Sequence, residues 1–383
     1  MIKNIKLENI VAFRKISLDF SPKVNIIIGE NGTGKTQLMK LAYAISKITS
    51  PDYKDAVDLK SVTTELLLNL FNPIENKIGK LWHKGSSSTA KAAVEFSNES
   101  TVKLEFNYNS KNVDIDCGKS DNLSAVFIPT KEILSLLKGI QSVESDLSVV
   151  KNIFDQTYID LLENVLINAE ANIDERISSE PRFGTIYPKL VDIIGGKYIF
   201  EDNDFKFQSG GYLEKKKRFN VKHAGAYADI TECKFKKESS VDDMSVLMTA
   251  EGFRKIGIIQ RLLENKRLDS RVCQTLFWDE PEANLNPNLM KQVVQTILEL
   301  SRNGMQIIIS THDYTTLKWF DILADNSKDD HVKYHHIYRS EDNYDLHYEA
   351  HDNYLSITPN EITKTFQEII EYEVKKSMQG LGK

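Results

Sequence analysis

The chain has 383 residues, 41% of them apolar and 27% charged, with a net charge of -6. That is enough apolar material for one large globular domain or two ordinary ones, and the balance excludes both a disordered acidic chain and a protein coated in basic charge. Cys117, Cys233 and Cys273 lie far apart without metal-ligand spacing, no window carries the ~18 apolar residues of a membrane span, and the first residues alternate like a strand, so reduced thiols, a cytoplasmic location and no membrane role are expected.

In chain order, Ile2 to Ile10, Ser17 to Phe20 and the apolar run Val24 to Ile28 read as strands, the last suited to a buried parallel position. Gly29-Glu30-Asn31-Gly32-Thr33-Gly34-Lys35-Thr36 follows at once, and Leu38, Leu41, Ala42 and Ile45 then mark a helix face. A glycine-rich loop between strand and helix is the setting phosphate binding requires. Gly29, Gly32 and Gly34 let the amides of Asn31, Thr33 and their neighbours curl around phosphate oxygens. Lys35 brings positive charge to the β and γ phosphates, and the Thr36 hydroxyl is placed to ligate magnesium. ATP and Mg2+ are the expected ligands.

Residues 50 to 90 read as helical, up to the linker Gly85-Ser86-Ser87-Ser88. Ala93 to Phe96, Val102 to Tyr108 and Val113 to Asp116 alternate with period two and predict an antiparallel meander, and Ala125 to Ile128 resumes an apolar strand closed by Pro129. Helical periodicity over 130 to 177 predicts an inserted lobe. Residues 196 to 238 alternate again, with the basic run Lys215-Lys216-Lys217-Arg218 at a hairpin. Two readings stand for that run: a solvated tip, or a contact for nucleic-acid phosphates. His331, His335, His336, His347 and His351 cluster in sequence without a defined ligand set.

Further on, Phe253, Ile256, Ile259, Leu262 and Leu263 mark a helix, followed by the strand Leu276-Phe277-Trp278, which ends in Asp279-Glu280. Asp279 is placed to hold magnesium, and Glu280 to orient and deprotonate the attacking water. One helix and one strand later, Ile307-Ile308-Ile309 ends at Ser310-Thr311-His312, where a neighbouring parallel strand returns His312 to the phosphates as a polar sensor. The core is therefore α/β. Thr358-Pro359-Asn360-Glu361 announces a last helix.

Asp279 lies far downstream of Lys35, and that spacing, with Phe127-Ile128-Pro129-Thr130-Lys131-Glu132, Ala250-Glu251-Gly252, Trp278 to Pro287 and Ser310-Thr311-His312, resembles the ABC-type ATPase heads of the SMC, RecF and OLD superfamily. Within it, the motifs are most similar to the PtuA-type ATPases of Septu antiphage-defence loci. The resemblance implies a P-loop NTPase of ABC-ATPase type, with a mixed sheet, an antiparallel β lobe and an inserted helical lobe. It divides the chain into a first core part with the β lobe (1-129), the helical lobe (130-195), a β-rich segment with the basic hairpin (196-247) and a second core part (248-383).

The resemblance also implies a homodimer or higher oligomer with ATP sandwiched between chains and completed by the partner's signature loop. Thr249 to Lys255 stands there, with Gly252 supplying an amide. Ala250 replaces the usual serine, which implies slow or partner-dependent hydrolysis, with Thr249 as a substitute donor. Ala283-Asn284-Leu285-Asn286-Pro287 matches the loop that crosses the dimer interface, and Lys131 or Glu132 stands where the family senses magnesium. Phe13 and Arg14 are open to two readings, adenine contact or core. The short stretch after His312 leaves little room for the nuclease domain of OLD proteins. The implied function is thus an ATPase that controls a separate effector, a nuclease or toxin, in antiphage defence. The alternative is a RecF-like DNA-binding repair ATPase. A transporter motor is disfavoured by the missing glutamine loop and signature serine.

Overall fold

The computed structural model describes residues 1–53, 56–118, 123–137, 153–169, 172–201, 204–220, 227–339, 346–358 and 361–380. A hairpin of β1 (Ile2–Ile10) and β2 (Phe13–Asp19) precedes β3 (Val24–Ile28), the P-loop and α1 (Lys35–Ile48). The second strand starts earlier than its apolar residues suggest because the turn at Val11, with φ 46°, brings Phe13 opposite Ile10. Helix α2 (Leu59–Phe71) covers only part of the expected helical stretch, since Asn72 turns left-handed and Pro73 cannot continue the ladder. The meander follows as β4 (Ala90–Phe96), β5 (Thr101–Phe106) and β6 (Asp114–Cys117), completing a five-stranded sheet of order β2-β1-β4-β5-β6.

Strand β7 (Ser124–Ile128) leads to α3 (Gln156–Leu166), α4 (Ile173–Ser179) and α5 (Pro181–Ile194); the expected helical periodicity over 138–152 lies outside the described residues. Then come β8 (Gly196–Glu201), β9 (Asp204–Asn220), β10 (Tyr227–Lys237) and β11 (Met244–Ser245), paired antiparallel around β9. The basic run lies within β9, with Lys215 in register with Glu232 and Arg218 with Asp229, rather than at a hairpin tip. The chain continues through α6 (Glu251–Glu264), β12 (Cys273–Asp279), α7 (Pro287–Arg302), β13 (Gln306–Thr311), α8 (Tyr314–Leu323), β14 (Val332–Arg339), β15 (Leu346–His351) and α9 (Glu361–Gly380). The capping residues expected before α9, Pro359 and Asn360, lie outside the described residues.

A six-stranded sheet of order β15-β14-β3-β13-β12-β7 forms the centre, parallel except for β15. Its strands are buried on both faces, which is why they read as continuous apolar runs. Ile26, Ile307, Ile309, Leu276 and Trp278 join a core with α5, α6 and α7, whereas Ile27, Ile308 and Phe277 join a second core with α1, α2 and the antiparallel sheet. Phe127 and Phe277 stack at 6.0 Å with Tyr43 of α1 edge-on to both, and the Tyr43 hydroxyl donates to Asp160 of α3 at 2.7 Å. The P-loop leaves the middle of this sheet between two neighbours, so strand ends from both sides flank it. This is an α/β P-loop fold with a mixed sheet, an antiparallel β lobe and a helical lobe.

The three cysteines form no disulfide. No described helix is long and apolar enough to cross a membrane. The histidine cluster goes to structural work: His335 is buried between Asn25 and Tyr348, His331 contacts Ser21 and Asp352, and Tyr338 stacks on both His336 and His347.

Candidate functional site

Gly32 and Gly34 hold φ of 81° and 86°, a region only glycine enters without steric cost. Gly29 is required by close approach, because a Cβ there would lie 2.2 Å from the Ile337 carbonyl oxygen of β14. A Cβ on Gly34 would lie 2.9 Å from Phe13 Cζ, so buried Phe13 supports the loop from below and is not available for an adenine. Arg14 is exposed. Thr33 is buried and its hydroxyl donates to the Glu30 carbonyl at 2.9 Å, closing the loop, while Asn31 and Gly32 form its exposed tip. The Lys35 ammonium donates to the carbonyls of Gly29 at 2.6 Å and Glu30 at 3.0 Å. Its burial lowers its pKa, against the pull of Glu280, Asp279, Glu282 and Glu30.

Asp279, 5% exposed, collects three hydroxyls. Thr36 donates to its Oδ2 at 2.9 Å, Thr130 to the same oxygen at 3.1 Å, and Ser310 to Oδ1. These come from the P-loop helix, the end of β7 and the end of β13, so the carboxylate is where three segments meet. The resulting set of one carboxylate and hydroxyls from P-loop and strand ends suits a hard cation that completes its shell with phosphate and water. Thr36 and Asp279 fit a magnesium ion on that ground. Among the described residues no group of three His, Cys, Asp or Glu side chains is placed to hold a metal.

Glu280 stands at φ 48°, a strained conformation for a non-glycine residue, and its amide donates to Ser310 O and Oγ, each at 3.2 Å. Its side chain meets His312, with Nδ1 3.1 Å from Oε1. The structure therefore brings Thr36, Asp279, Glu280 and His312 to one place beside Lys35. Two residues that lie within the quoted motifs but received no role there complete it. Glu282 accepts from the Thr311 hydroxyl at 2.6 Å and the His312 amide at 3.3 Å, with burial pushing its pKa up, while its Oε2 lies buried without a partner. Lys255 of α6, 1% exposed, donates to the Glu280 carbonyl at 3.2 Å.

Two expectations change, and Gly252 takes a tightly packed place. Glu132 does not face a cation site: it is 5% exposed, paired with Arg254 of α6 at 2.8 Å and bonded to Ser135, whereas the neighbouring Thr130 reaches Asp279. Thr249 is not a spare donor for the missing serine, because its hydroxyl donates to Val246 O at 2.7 Å and accepts from Tyr198 at 2.7 Å. Gly252 is buried against its own chain, where a Cβ would lie 2.9 Å from both Asn284 O and Leu285 Cδ2. The Asn284 amide donates to Glu251 at 2.7 Å, tying the start of α6 to the loop after β12. Thr130 and Lys255 stand in quoted motif stretches, but their contacts to Asp279 and to the Glu280 carbonyl emerge only from the fold.

Residues 234–318 match the family AAA_21, described as "AAA domain, putative AbiEii toxin, Type IV TA system". The chain is 43% identical over 49 residues to the DNA replication and repair protein RecF of Lysinibacillus sphaericus (strain C3-41) and 45% over 49 residues to RecF of Bacillus thuringiensis (strain Al Hakam). Each match spans 13% of this chain and 13% of the relative's length. Among solved structures, an Smc head bound to the C-winged helix domain of ScpA aligns at TM-score 0.49 and 14% identity, covering 91% of this chain and 97% of that one. The SMC head domain from Thermotoga maritima aligns at TM-score 0.42 and 13% identity, covering 91% and 98%. The family and RecF matches each span a minor part of the chain, and the P-loop, acidic strand end and histidine gathered at one point form a site of the kind that binds a nucleotide and its metal.

Proposed function

We propose that this chain is an ATP-binding and ATP-hydrolysing subunit that dimerises around ATP and controls a separate effector. The observation that carries the ATPase reading is the convergence of Thr36, Thr130 and Ser310 on Asp279, with His312 on Glu280 beside it. The P-loop amides and Lys35 bind and orient the phosphate tail, and incoming phosphate oxygens offer Lys35 better acceptors than the two carbonyls it now holds. Thr36 and Asp279 would hold magnesium, which would supply charge neutralisation at the phosphates. Glu280 accepts the proton of the attacking water, and His312 fixes the carboxylate and senses the γ phosphate. The uncapped start of α6, at Ala250, supports slow hydrolysis, because neither Ala250 nor the engaged Thr249 offers a hydroxyl.

Control of a nuclease or toxin in antiphage defence rests on the toxin-system description of the matched family and on the motif resemblance. The test is phosphate release by wild type and Glu280→Gln, with and without co-expressed neighbours. Release that depends on Glu280 and on a co-purifying effector supports the proposal. Release unaffected by Glu280→Gln contradicts the catalytic assignment, and an ATPase that retains no partner contradicts effector control.

The RecF matches favour a second reading, a DNA-binding repair ATPase, with Lys215, Lys216, Lys217 and Arg218 on the phosphates. It predicts that the purified chain alone binds DNA with an affinity that falls steeply with salt.

A further inference from the structure

The helical lobe meets the core around a cavity of about 420 Å³. Its walls are the end of α4 and the start of α5, the end of α6 with the loop 268–271, and the turn between α7 and β13, at the end of β13 opposite to His312. The floor is apolar: Phe183, Ile186, Leu263, Leu268, Leu300 and Met305 are each at most 6% exposed. Small-molecule pockets span roughly 300–1,000 Å³ and combine such a floor with a few polar groups. Here the polar groups include three arginines against two carboxylates. Buried Arg176 is fully engaged: Nε and Nη2 donate to Glu180 at 3.0 and 3.2 Å, Nη1 donates to the carbonyls of Leu263 and Glu264, and its guanidinium lies 4.0 Å from the centre of the Phe183 ring. Arg271 is paired with Asp269, its Nε donating at 2.9 Å. These bonds hold the carboxyls of Glu180 and Asp269 below their usual range, so both are charged at neutral pH. Arg182 is the cation left over. It is exposed at the cavity, its Nη1 donates to the Asn303 carbonyl at 3.2 Å, and among the described residues no carboxylate pairs with it.

We propose that this cavity binds a small amphipathic anion, an aromatic or short aliphatic body on the apolar floor with its carboxylate, sulfonate or phosphate on Arg182. An anionic oxygen is a stronger partner for a guanidinium fork than the neutral Asn303 carbonyl, and it balances the one charge that the lining leaves unmatched. A free small molecule is the occupant rather than an extended peptide, because the walls are helix ends and turns and offer no strand edge to pair with. The inference is independent of the nucleotide reading.

The test is fluorescence titration of the full chain with anilinonaphthalene sulfonate, an aromatic body carrying one anionic group, and with phenylnaphthylamine, nearly the same body without it. Wild type is expected to bind both. Arg182→Glu is expected to weaken the sulfonate by about 10-fold or more, through loss of a charge-assisted bond, and to leave the neutral probe unchanged. Arg182→Lys retains part of the sulfonate affinity as a point charge without the fork. Ser270→Trp places a bulky ring on the cavity wall and is expected to exclude both probes. Thermal melts identify a variant that fails to fold; Arg182 is exposed, so Arg182→Glu carries the comparison if Ser270→Trp is lost. Wild-type sulfonate affinity in Arg182→Glu would overturn the proposal. So would unchanged binding of both probes in folded Ser270→Trp, which would put them on another apolar surface such as the exposed side chains of α9. A wild type that binds neither probe would overturn it too, leaving the cavity as a packing feature.

Discussion

Replacing Lys255 with methionine tests how the site holds Glu280. Lys255 is almost wholly buried on α6, and burial pushes its ammonium from the usual 10.5 down to about 8, net of the attraction of Glu282, Glu251, Glu280 and Asp279. At 1.36 kcal/mol per pH unit, that fall is a folding penalty of about 3 kcal/mol for carrying the charge inside. Below pH 8 both folded and unfolded chains are protonated and the penalty is full. Between about 8 and 10.5 the folded chain sheds its proton first, so stability rises with pH, and above 10.5 the penalty is gone. Methionine removes the charge at similar volume but loses the bond to the Glu280 carbonyl, worth about 1 kcal/mol. Lys255→Met is therefore expected to be more stable than wild type by about 2 kcal/mol at neutral pH and, once the penalty is gone at the top of the window, less stable by about 1 kcal/mol. Urea denaturation of both proteins across that range reads the gap directly, and the difference cancels the other titrating groups. The same variant is expected to lose ATP turnover, because the strained Glu280 backbone loses a donor. A variant less stable than wild type at neutral pH, or a gap that stays constant with pH, would refute the reasoning.

Three further outcomes follow from the site. Ala250→Ser restores a cap at the start of α6 and a hydroxyl in the signature loop, so it is expected to raise stability by about 1 kcal/mol in thermal or urea melts and to accelerate phosphate release. Thr130→Val deletes one of three hydroxyls on Asp279 and is expected to weaken magnesium-dependent ATP binding by about 10-fold while leaving magnesium-free binding less affected, as titration calorimetry would show. Glu132→Gln leaves Arg254 without its buried counter-charge and is expected to destabilise the fold by about 3 kcal/mol in urea; a change below 1 kcal/mol would mean that the pair is solvated in solution.

Much of the centre was legible in the sequence because it is written in strong local signals. Glycines at positive φ, a lysine after them and apolar runs ending in Asp279-Glu280 and His312 each mark a strand end, and parallel pairing gathers strand ends on one edge. The lateral order was not legible. Nothing in the spacing says that β14 lies beside β3, so the close approach of the Ile337 carbonyl to Gly29 is not visible until the register is known. The expected helix over 50 to 90 overran because apolar residues of short turns, such as Ile78 and Leu81, pack into the second core as a helix face would. Lys131 or Glu132 stands by resemblance where magnesium is sensed, and for Glu132 that reading gives way once its partner Arg254, far along the chain, is placed. Phe13 settled only when the Cβ-free side of Gly34 was seen against its ring.

The most direct test of the account is the mass of the purified protein, by light scattering, with ATP and magnesium, for wild type and Glu280→Gln. The account predicts a monomeric or loosely associated chain without nucleotide, a discrete ATP-dependent dimer or higher oligomer, and a longer-lived assembly in Glu280→Gln, which binds ATP but does not hydrolyse it. A mass that is the same with and without ATP in both proteins, while ATP is shown to be bound, would contradict the claim that nucleotide closes one chain upon another.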